Sequence, residues 1–463
     1  MSEGVSDRLS RHVAATRYED IAPAAIEAAK RSLLDAIGVS LGASSEQEGV
    51  PAFVALALEA GGKREASIFG WNAKAPAGLA AFANGAMAHA LDFEDAYDGA
   101  PLHPNAALIP AVLAVAQARG GVSGRELLAA IVLGCDLTCR LALCLRTQAE
   151  TFGWYPPPIF GAYGAVAAVG RVIGLDPKRM RDAFSLALCQ ATCSGEIKYS
   201  PDSVVRAVRD AFPAQTGVVS ALLAERGVVG FDAPFEGKAG FFRLYAGGDY
   251  DQDVFFGGLG ARFRGADVSF KPWPSCRGTH AFIEAAIALR EEPGLLLDNI
   301  VGIEMSGDAM QQMLASPIES KRAPRTAIDA KFSSPFVVAT ALLRGAVTLD
   351  DFTPEALRDQ RVLALAAVAS HAIDSSFGTS AGGALRLRLA DGQVLERRID
   401  TPVGDPTRPL SWDTLVGKAK ACGARAKHPA NPSTIEALAH VISAIEREED
   451  AAAAIFAALE NPA

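Results

Sequence analysis

The chain has 463 residues and a formal net charge of −9; 50% of its residues are hydrophobic and 21% are charged. This composition is typical of a globular protein with ample material for a large core, and the length predicts more than one domain. Lys and Arg are dispersed without a basic stripe, so nucleic-acid binding, whose affinity comes mainly from phosphate neutralisation, is not expected.

The first residues, MSEGVSDRLSRHVAATRYEDI, contain no apolar run and no cleavage site, so no signal peptide is predicted. Seven cysteines in a chain of this length do not make a disulfide framework, and their odd number agrees with a reducing compartment. The most hydrophobic stretch, Leu127 to Leu145, is interrupted by Asp136 and Arg140 and therefore predicts a buried helix rather than a membrane span. We expect a cytoplasmic protein that does not enter a membrane.

From residue 5 to about residue 260 the pattern predicts helices, because apolar residues recur at helical spacing and Gly or Pro stands at most junctions. Pro76 and Pro104 each suit the first position of a helix, where the missing N–H costs nothing. The simplest architecture is a stack of antiparallel helices around one core. The predicted helices are 23–41, 76–91, 104–118, 124–145, 161–174, 178–191 and 204–226.

The pattern changes near Gly265, where strand-like segments begin to alternate with helices. Residues 383–389 and 393–399 flank a turn and predict a hairpin. Two further strands and three helices are predicted before the tail returns to helix after Pro402. These are strands 267–271 and 299–305, a helix capped by Thr279, and helices 328–344 and 354–369.

We therefore predict a mainly α fold made of two domains. Residues 1–264 and 402–463 would form a large all-helical domain. Residues 265–401 would form a smaller α+β lid domain inserted into it.

The first polar cluster is HALDFEDAYDGAPLHP, in which two histidines and four acids fall within fifteen residues. Carboxylates that orient imidazoles suit general acid–base chemistry. His103 is expected just before the helix that Pro104 opens, where backbone N–H groups favour an anion. For His89 we favour a satisfied core position. A metal site built from His89, Asp92, Asp95 and His103 is not predicted, because no close histidine spacing supports it.

The second cluster is SFKPWPSCRGTH, in which a predicted strand delivers Lys271 and a turn leads to Cys276, Arg277 and His280. Cations and N–H groups at a helix start favour a carboxylate receptor, although a plain strand–turn–helix junction is the alternative. Two weaker clusters, read alone, indicate a charged surface. They are Lys331 with Ser333, and Lys198 with Arg206 and Arg209.

Together these clusters resemble the MmgE/PrpD family, whose members include 2-methylcitrate dehydratases, cis-aconitate decarboxylases and iminodisuccinate epimerases. The resemblance implies a homodimer and a reaction that uses neither a metal nor an organic cofactor. It is spread over most of the chain in five segments that keep the family's order. The segments are HALDFEDA…HPNAALIPAVLA, PPPIFGAYGAVAAVGRVIGL, QTGVVSALLAERGVVGFDAPFEGKAGFF, FKPWPSCRGTHAFIEAAIAL and DAKFSSPFVVATALLRGAVTLDDF.

The resemblance implies catalytic roles for four residues: Asp92, His103, Lys271 and His280. His103 would move a proton, Asp92 would set its tautomer, and Lys271 with Arg277 would hold substrate carboxylates. Either Lys198 or Arg206 would fill the family's lysine position. The remaining substrate contacts would come from Tyr155, Cys276, Lys331 and Ser333.

Four positions depart from the family pattern and remove a proton carrier or a hydroxyl. They are Ala96 in DFEDA, Tyr155 in GWYPPP, Cys276 where the decarboxylase branch has a second histidine, and Phe336 in SSPF. The departures argue most against cis-aconitate decarboxylation.

We therefore predict a lyase that moves a proton next to a carboxylate of a small di- or tricarboxylic acid, with 2-methylcitrate dehydratase-like chemistry first. The alternatives are a dicarboxylate epimerase, a decarboxylase and a catalytically silent binding protein of the same fold.

Overall fold

In the computed structural model, residues 4–46, 48–200, 203–377 and 381–460 are described. The chain divides into two compact units. Unit 1 comprises Met1–Ala90, Ala100–Val268 and Ser411–Ala463, and unit 2 comprises Leu91–Gly99 and Ser269–Leu410. Helices contain 58% of the residues and strands contain 9%, which confirms the predicted mainly α fold.

The helices are numbered in chain order. They are α1 Val5–Ala15, α2 Pro23–Ala43, α3 Val50–Glu59, α4 Ala77–Ala90, α5 Leu108–Arg119, α6 Gly124–Leu143, α7 Pro156–Val172, α8 Pro177–Leu188, α9 Val205–Val208, α10 Ala211–Glu225, α11 Phe241–Ala246, α12 Gln252–Phe256, α13 His280–Arg290, α14 Ile318–Arg322, α15 Ala327–Lys331, α16 Ser334–Arg344, α17 Gln360–Ala367, α18 Trp412–Ala424, α19 Pro432–Ser443 and α20 Ala451–Glu460. The strands are β1 Ala66–Ile68, β2 Ala73–Ala75, β3 Ile300–Gly307, β4 Ala369–Ile373, β5 Gly383–Leu389 and β6 Val394–Ile399.

Small residues let the central helices of unit 1 approach closely. At the contact of α6 with α7, a Cβ added at Gly134 would lie 2.5 Å from the carbonyl oxygen of Gly164. Such a contact is shorter than any carbon–oxygen van der Waals distance, so a larger residue at either position would push the two helices apart. The Ala- and Gly-rich sequence thus sets the helix spacing in the core.

Helix α6 carries a fully buried ion pair in its apolar face. Arg140 Nε donates to Asp136 Oδ2 at 2.6 Å, one helical turn away. The other guanidinium nitrogens donate to the carbonyls of Phe255, Gly257 and Arg262 at 2.6–2.9 Å. Every charge that interrupts this apolar helix therefore has a partner inside unit 1. Within the described ranges, no helix has the length and apolarity that crossing a membrane requires.

His12 on α1 is half-buried, and its ring centre lies 6.4 Å from that of Phe263. Burial, followed by the positive charges of Arg140 and Arg8, lowers the pKa of His12 to about 4. The unfolded chain therefore binds a proton at His12 more readily than the folded one, and the neutral imidazole contributes stability above pH 6.5 that is lost as the pH falls toward 4.

His12→Leu is therefore expected to flatten the pH dependence of unfolding. The wild-type free energy of unfolding should fall by about 2 kcal/mol more than that of the variant between pH 7 and pH 5. Urea denaturation at both pH values measures this difference. The exposed residue His440 provides the control, since His440→Leu should behave as wild type. Equal losses in wild type and His12→Leu would contradict the assignment.

Unit 2 is built on a four-stranded sheet of order β4-β3-β5-β6. β3 pairs parallel with β4 and antiparallel with β5, and β5 and β6 form the hairpin predicted from the sequence. Alternate residues of β5 are buried, α13 packs against β5 and β6, and α16 packs against α13. The core of unit 2 includes Phe282, Ile303, Phe336 and Leu385.

Four predicted helices begin late or break, and a proline explains three of these cases. The predicted helix 104–118 begins at Leu108, since Pro110 has no N–H to donate four residues back. The predicted helix 204–226 is divided into α9 and α10 at the carbonyl that Pro213 leaves without a donor. The predicted helix 328–344 is divided into α15 and α16, where Pro335 cannot donate to Lys331. The fourth, predicted at 354–369, begins only at Gln360, where the Asp359 side chain accepts from Arg361 N and caps α17.

The strand predicted at 267–271 is also wrong, because Ser269 forms only one isolated bridge, to Ala96. Three short strands, β1, β2 and β4, were not predicted. The domain boundaries at 264/265 and 401/402 stay a prediction. The two compact units are defined by contacts between residues, whereas a domain is a part of the chain that can fold by itself. The two predicted domains also include residues 1–3, 47, 201–202, 378–380 and 461–463, which lie outside the described residues.

Candidate active site

In unit 2, an antiparallel bridge joins the acidic segment 91–99 to the residues before Lys271. Ala96 N donates to Ser269 O at 2.8 Å, and Ser269 N donates to Ala96 O at 2.7 Å. Ala96 makes this contact through its backbone, so the hydroxyl that the family usually has there is not needed for it. The bridge brings the acidic segment beside Lys271.

Lys271 and Asp92 form a fully buried ion pair. The Lys271 ammonium donates to Asp92 Oδ1 at 2.7 Å and to the Asp92 carbonyl at 2.9 Å, and neither side chain is exposed. Burial acts to lower the pKa of Lys271, but the carboxylates of Asp92 and Glu94 more than offset it and the pKa is raised. Lys271 is therefore charged throughout the neutral range, so a cation is fixed inside unit 2.

The backbone of Asp92 adopts an unusual conformation. Its φ of 49° lies in the left-handed region, which only one other described non-glycine residue, Asn72, shares. Such backbone conformations cost free energy and persist where surrounding contacts hold them, often at functional sites. The two hydrogen bonds from Lys271 are contacts of this kind, because one of them holds the backbone carbonyl itself.

A second ion pair orders the turn that follows Lys271. Arg277 Nε donates to both carboxylate oxygens of Asp98 at 3.1 Å, and Nη2 donates to Asp98 Oδ2 at 3.0 Å. The remaining contacts go to the carbonyls of Pro402 at 3.3 Å and Val403 at 2.9 Å. Most donors of Arg277 are therefore already used within unit 2, and its predicted role as a substrate anchor stays a prediction. Asp98, which was not among the predicted site residues, is its partner.

His280 is fully buried at the start of α13. Its Nε2 lies 3.2 Å from the carbonyl of Ser275, and its Nδ1 lies 3.5 Å from Arg277 Nη1. Nε2 is thus placed within hydrogen-bonding distance of a carbonyl, which only a ring N–H can donate to. Thr279 stands at the N-cap of α13 as predicted, but its hydroxyl makes no cap hydrogen bond and donates to Cys276 O at 2.8 Å.

Lys331 and Ser333 reach the same region mainly through their backbone and cap contacts. Cys276 N donates to the carbonyl of Lys331 at 3.0 Å, and the Lys331 ammonium lies 5.6 Å from the ring centre of Phe352. The Ser333 hydroxyl accepts from Phe336 N at 3.1 Å and caps α16. The substrate contacts predicted for Lys331 and Ser333 stay predictions, and Cys276, of intermediate exposure, is the more accessible of the three.

Unit 1 holds a histidine pair with an arginine. The rings of His89 and His103 lie 4.8 Å apart. His89 is fully buried and its Nε2 contacts Arg209 Nη1, whereas His103 is partly exposed. His103 does not directly precede a helix as predicted, because residues 104–107 form turns before α5. Of these two histidines, His103 is the one that a molecule in solution can reach.

Two cations flank Tyr155 in the same unit. The Lys198 ammonium lies 5.3 Å and the Arg209 guanidinium 5.2 Å from its ring centre. Lys198 also lies 3.6 Å from Glu150 and keeps 24% of its side chain exposed. Arg206 is half-buried, and its carbonyl accepts from Arg209 at 2.9 Å. The expectation of a charged surface is wrong for Arg209, whose side chain is 1% exposed, and for Lys331 and Ser333, which are buried.

The structure thus places the predicted residues in two groups, each within its own unit. Sequence reasoning missed the partners Asp98 and Arg209 because each acts through a residue far along the chain. The only sequence feature that could have indicated them is a charged residue close to a predicted site residue, and a charged residue exposed to solvent gives the same pattern. The group in unit 2 holds Asp92, Lys271, Cys276, Arg277, His280, Lys331 and Ser333, and the group in unit 1 holds His103, Tyr155, Lys198 and Arg206.

Arg209→Lys should lower the free energy of unfolding by about 1–3 kcal/mol, because an ammonium cannot reproduce the planar set of donors. Arg209 contacts His89 and Arg206 O and lies 3.5 Å from the buried carboxylate of Asp210. Urea unfolding at pH 7 measures the loss. Arg243→Lys is the matched control, since Arg243 is exposed and donates to Gly247 O. Equal stability of both variants would contradict a structural role for Arg209.

Comparison with known proteins gives matches across both units. The MmgE/PrpD N-terminal domain matches residues 7–253, and the MmgE/PrpD C-terminal domain matches residues 273–443. The cis-aconitate decarboxylase-like protein oryM of Aspergillus oryzae is 28% identical over 89% of this chain and 89% of its own length. Human cis-aconitate decarboxylase is 25% identical over 97% and 93%. The mitochondrial 2-methylcitrate dehydratase of Yarrowia lipolytica is 27% identical over 53% and 49%.

Proposed function

We propose that this chain, which belongs to the MmgE/PrpD family, is a lyase that acts on a small di- or tricarboxylic acid. The reaction would be dehydration, in which a C–H proton next to a carboxylate is removed, hydroxide leaves the neighbouring carbon, and the products are an alkene and water. The relatives named above are a decarboxylase and a dehydratase by name, and both names denote lyases.

The accessibility of His103 is the observation that carries the proposal. Of the four residues predicted to be catalytic, Asp92, Lys271 and His280 have no exposed surface, and His103 is partly exposed. A general base must come within hydrogen-bonding reach of the proton that it removes. His103 therefore carries the proton in the proposed reaction, and the neighbouring His89, held by Arg209, positions its ring.

The carboxylate of the substrate needs a cation that is not already saturated. Arg277 uses most of its donors within unit 2, and Lys271 is fully buried with Asp92. Lys198 combines partial exposure with a place over the face of Tyr155. In the proposed reaction Lys198 binds a substrate carboxylate, and Arg206 is its alternative. This local positive charge is what an anionic substrate would meet on a chain of net charge −9.

Decarboxylation of cis-aconitate is the second candidate, because the relatives matched over nearly their full lengths carry that name. The departure at Cys276 favours dehydration over decarboxylation. Loss of CO₂ creates a carbanion that must be protonated, and Cys276 stands where the decarboxylase branch has a second histidine, which is a proton carrier.

Proton NMR in D₂O with 2-methylcitrate, citrate, cis-aconitate and iminodisuccinate tests the proposal. Reversible proton removal replaces a C–H by C–D, so dehydration, decarboxylation and epimerisation all give a signal. An alkene product supports dehydration, loss of CO₂ supports decarboxylation, and deuterium gain without a change of skeleton supports the epimerase. Absence of exchange with all four compounds, together with melting shifts on binding, would support the silent binding protein.

We also propose that the reaction needs no metal or organic cofactor. Turnover should therefore be unchanged after dialysis against EDTA, because the side chains named above supply both the proton carrier and the cation. Metal content measured by mass spectrometry on the same sample completes the experiment. Activity that is lost on dialysis and returns with Zn²⁺ or Fe²⁺ would contradict this.

We further propose a homodimer. Unit 1 exposes several large apolar side chains, among them Val229 at 71%, Phe231 at 53% and Phe212 at 49%. Exposed apolar side chains in such number favour burial against another chain. Sedimentation velocity tests this, and a concentration-independent monomer would contradict it. We also propose a cytoplasmic location.

A further inference from the structure

A cavity in unit 1 lies apart from every residue named in the proposed reaction. Its volume is about 520 Å³, and its walls come from the turn between β1 and β2, the start of α19 and the end of α20. Cavities of this size typically hold small organic ligands. All of the wall segments belong to unit 1, so the cavity needs nothing from unit 2.

The rim of the cavity is basic. Arg64, Lys74 and His428 line it, and Glu460 is the single acid among the lining residues of the described chain. Glu460 lies 4.0 Å from Lys74, with both side chains largely exposed, so this contact is weak and leaves the ammonium accessible. In a protein of net charge −9, three cationic or titratable side chains around one cavity form a local centre for anions.

A buried hydroxyl faces the same space. Thr434 lines the cavity and is 3% exposed, and its hydroxyl makes no hydrogen bond with any residue in the described part of the chain. Asn431, at the N-cap of α19, also lines the cavity, and its side chain makes no cap hydrogen bond. The Thr434 hydroxyl and the Asn431 amide are therefore polar groups on the cavity wall that a ligand in the cavity would meet.

Part of the cavity wall is aromatic. Phe69 and Phe456 stack with their ring centres 5.8 Å apart, and both line the cavity. Phe69 N donates to the buried Asn84 side chain at 3.0 Å, which fixes the turn. The turn also contains Asn72 in the left-handed region, at φ 45°. A preformed wall of this kind lowers the ordering cost of binding.

We propose that this cavity binds a small organic anion, in which a phosphate or a pair of carboxylates is joined to a flat apolar group. The charged end would lie against Arg64, Lys74 and Thr434, and the apolar group against Phe69 and Phe456. The proposal does not depend on the proposed reaction, because the two sets of residues share no member.

Isothermal titration calorimetry with two probes tests the proposal on the full chain. AMP carries a phosphate and a flat base, and benzylsuccinate carries two carboxylates and a phenyl ring. At least one should bind with a Kd of about 1 mM or lower. If only AMP binds, the anionic group that the cavity recognises is a phosphate. If only benzylsuccinate binds, it is a pair of carboxylates.

Variants locate the binding. In Arg64→Gln/Lys74→Gln the Kd should rise at least tenfold, and in Thr434→Val about threefold or more, because charge-assisted hydrogen bonds are lost. Lys238→Gln, which removes an exposed charge elsewhere on unit 1, is the control and should bind as wild type. Binding of neither probe, or binding that the double variant leaves unchanged, would overturn the proposal.

Discussion

Lys271→Met is expected to lower the free energy of unfolding by about 3–5 kcal/mol and to reduce turnover by roughly 10²- to 10⁴-fold. The variant keeps the length and packing of the side chain but leaves the fully buried carboxylate of Asp92 without its cation. Removing the cation of a buried ion pair is costly because the remaining carboxylate does not regain the hydration that it has in water. Urea unfolding and the D₂O exchange assay on the same preparation measure the two effects.

A second buried ion pair offers a matched control. Lys418 lies 2.7 Å from Asp35 in unit 1, with the two side chains 6% and 1% exposed. Lys418→Met should cost comparable stability and leave the turnover of the folded protein unchanged. If both variants lose turnover equally, the effect of Lys271→Met is one of general destabilisation, and a specific role for Lys271 is wrong.

The double variant Lys271→Met/Asp92→Asn separates stability from chemistry. It removes both charges, and replacement of a whole buried pair is often neutral for stability. Asn also tolerates the left-handed backbone of residue 92, so no new strain is introduced. We expect stability to return toward wild type while turnover stays low. Recovery of both would show that Asp92 and Lys271 serve only the fold.

His103→Ala is expected to reduce the rate of deuterium incorporation by roughly 10²- to 10⁴-fold, which is the usual contribution of a positioned general base. Its free energy of unfolding should change by about 1 kcal/mol or less, because the side chain is partly exposed and does not fill the core. The two measurements together distinguish a proton carrier from a structural residue. A loss of only a few-fold would remove His103 from the mechanism.

Added imidazole makes this test sharper. Small imidazole can enter the space left by His103→Ala and restore part of the exchange, with a rate that follows the imidazole concentration. His440→Ala is the matched control, since His440 is exposed on α19 and should leave exchange unchanged with or without imidazole. A variant that is inactive and shows no such restoration would point to a role for His103 in binding instead.

Much of the architecture could be predicted from local patterns. The helical spacing of apolar residues located most helices of unit 1, and the alternation in β5 and β6 located the hairpin. Three of the errors in helix boundaries came from the positions of prolines. A proline was read as the residue that opens a helix. Pro110, Pro213 and Pro335 instead lie in the first turn of α5, α10 and α16, and each of these helices begins later than predicted.

The candidate site could be predicted less well, because its chemistry depends on contacts between distant residues. Residue types and the family resemblance identified Lys271 and Asp92 as site residues. Neither could predict that the two side chains, 179 residues apart in the sequence, form a hydrogen-bonded ion pair with each other. Arg277 was expected to face a substrate, whereas Asp98 and two carbonyls already bind it. Arg209 was interpreted as a surface charge because the residues next to it in the sequence do not indicate its contacts with His89 and Tyr155.

The discontinuity of unit 1 has a consequence for synthesis on the ribosome. Lys30 on α2 finds its partner Glu446 at 3.0 Å, 416 residues later. At about 5–20 residues per second, the nascent chain carries Lys30 without that partner for roughly 20–80 s. Helix α18 packs against α2 and arrives equally late. Truncated chains that stall before residue 411 should therefore be preferred clients of ribosome-associated chaperones, which crosslinking of stalled nascent chains would reveal.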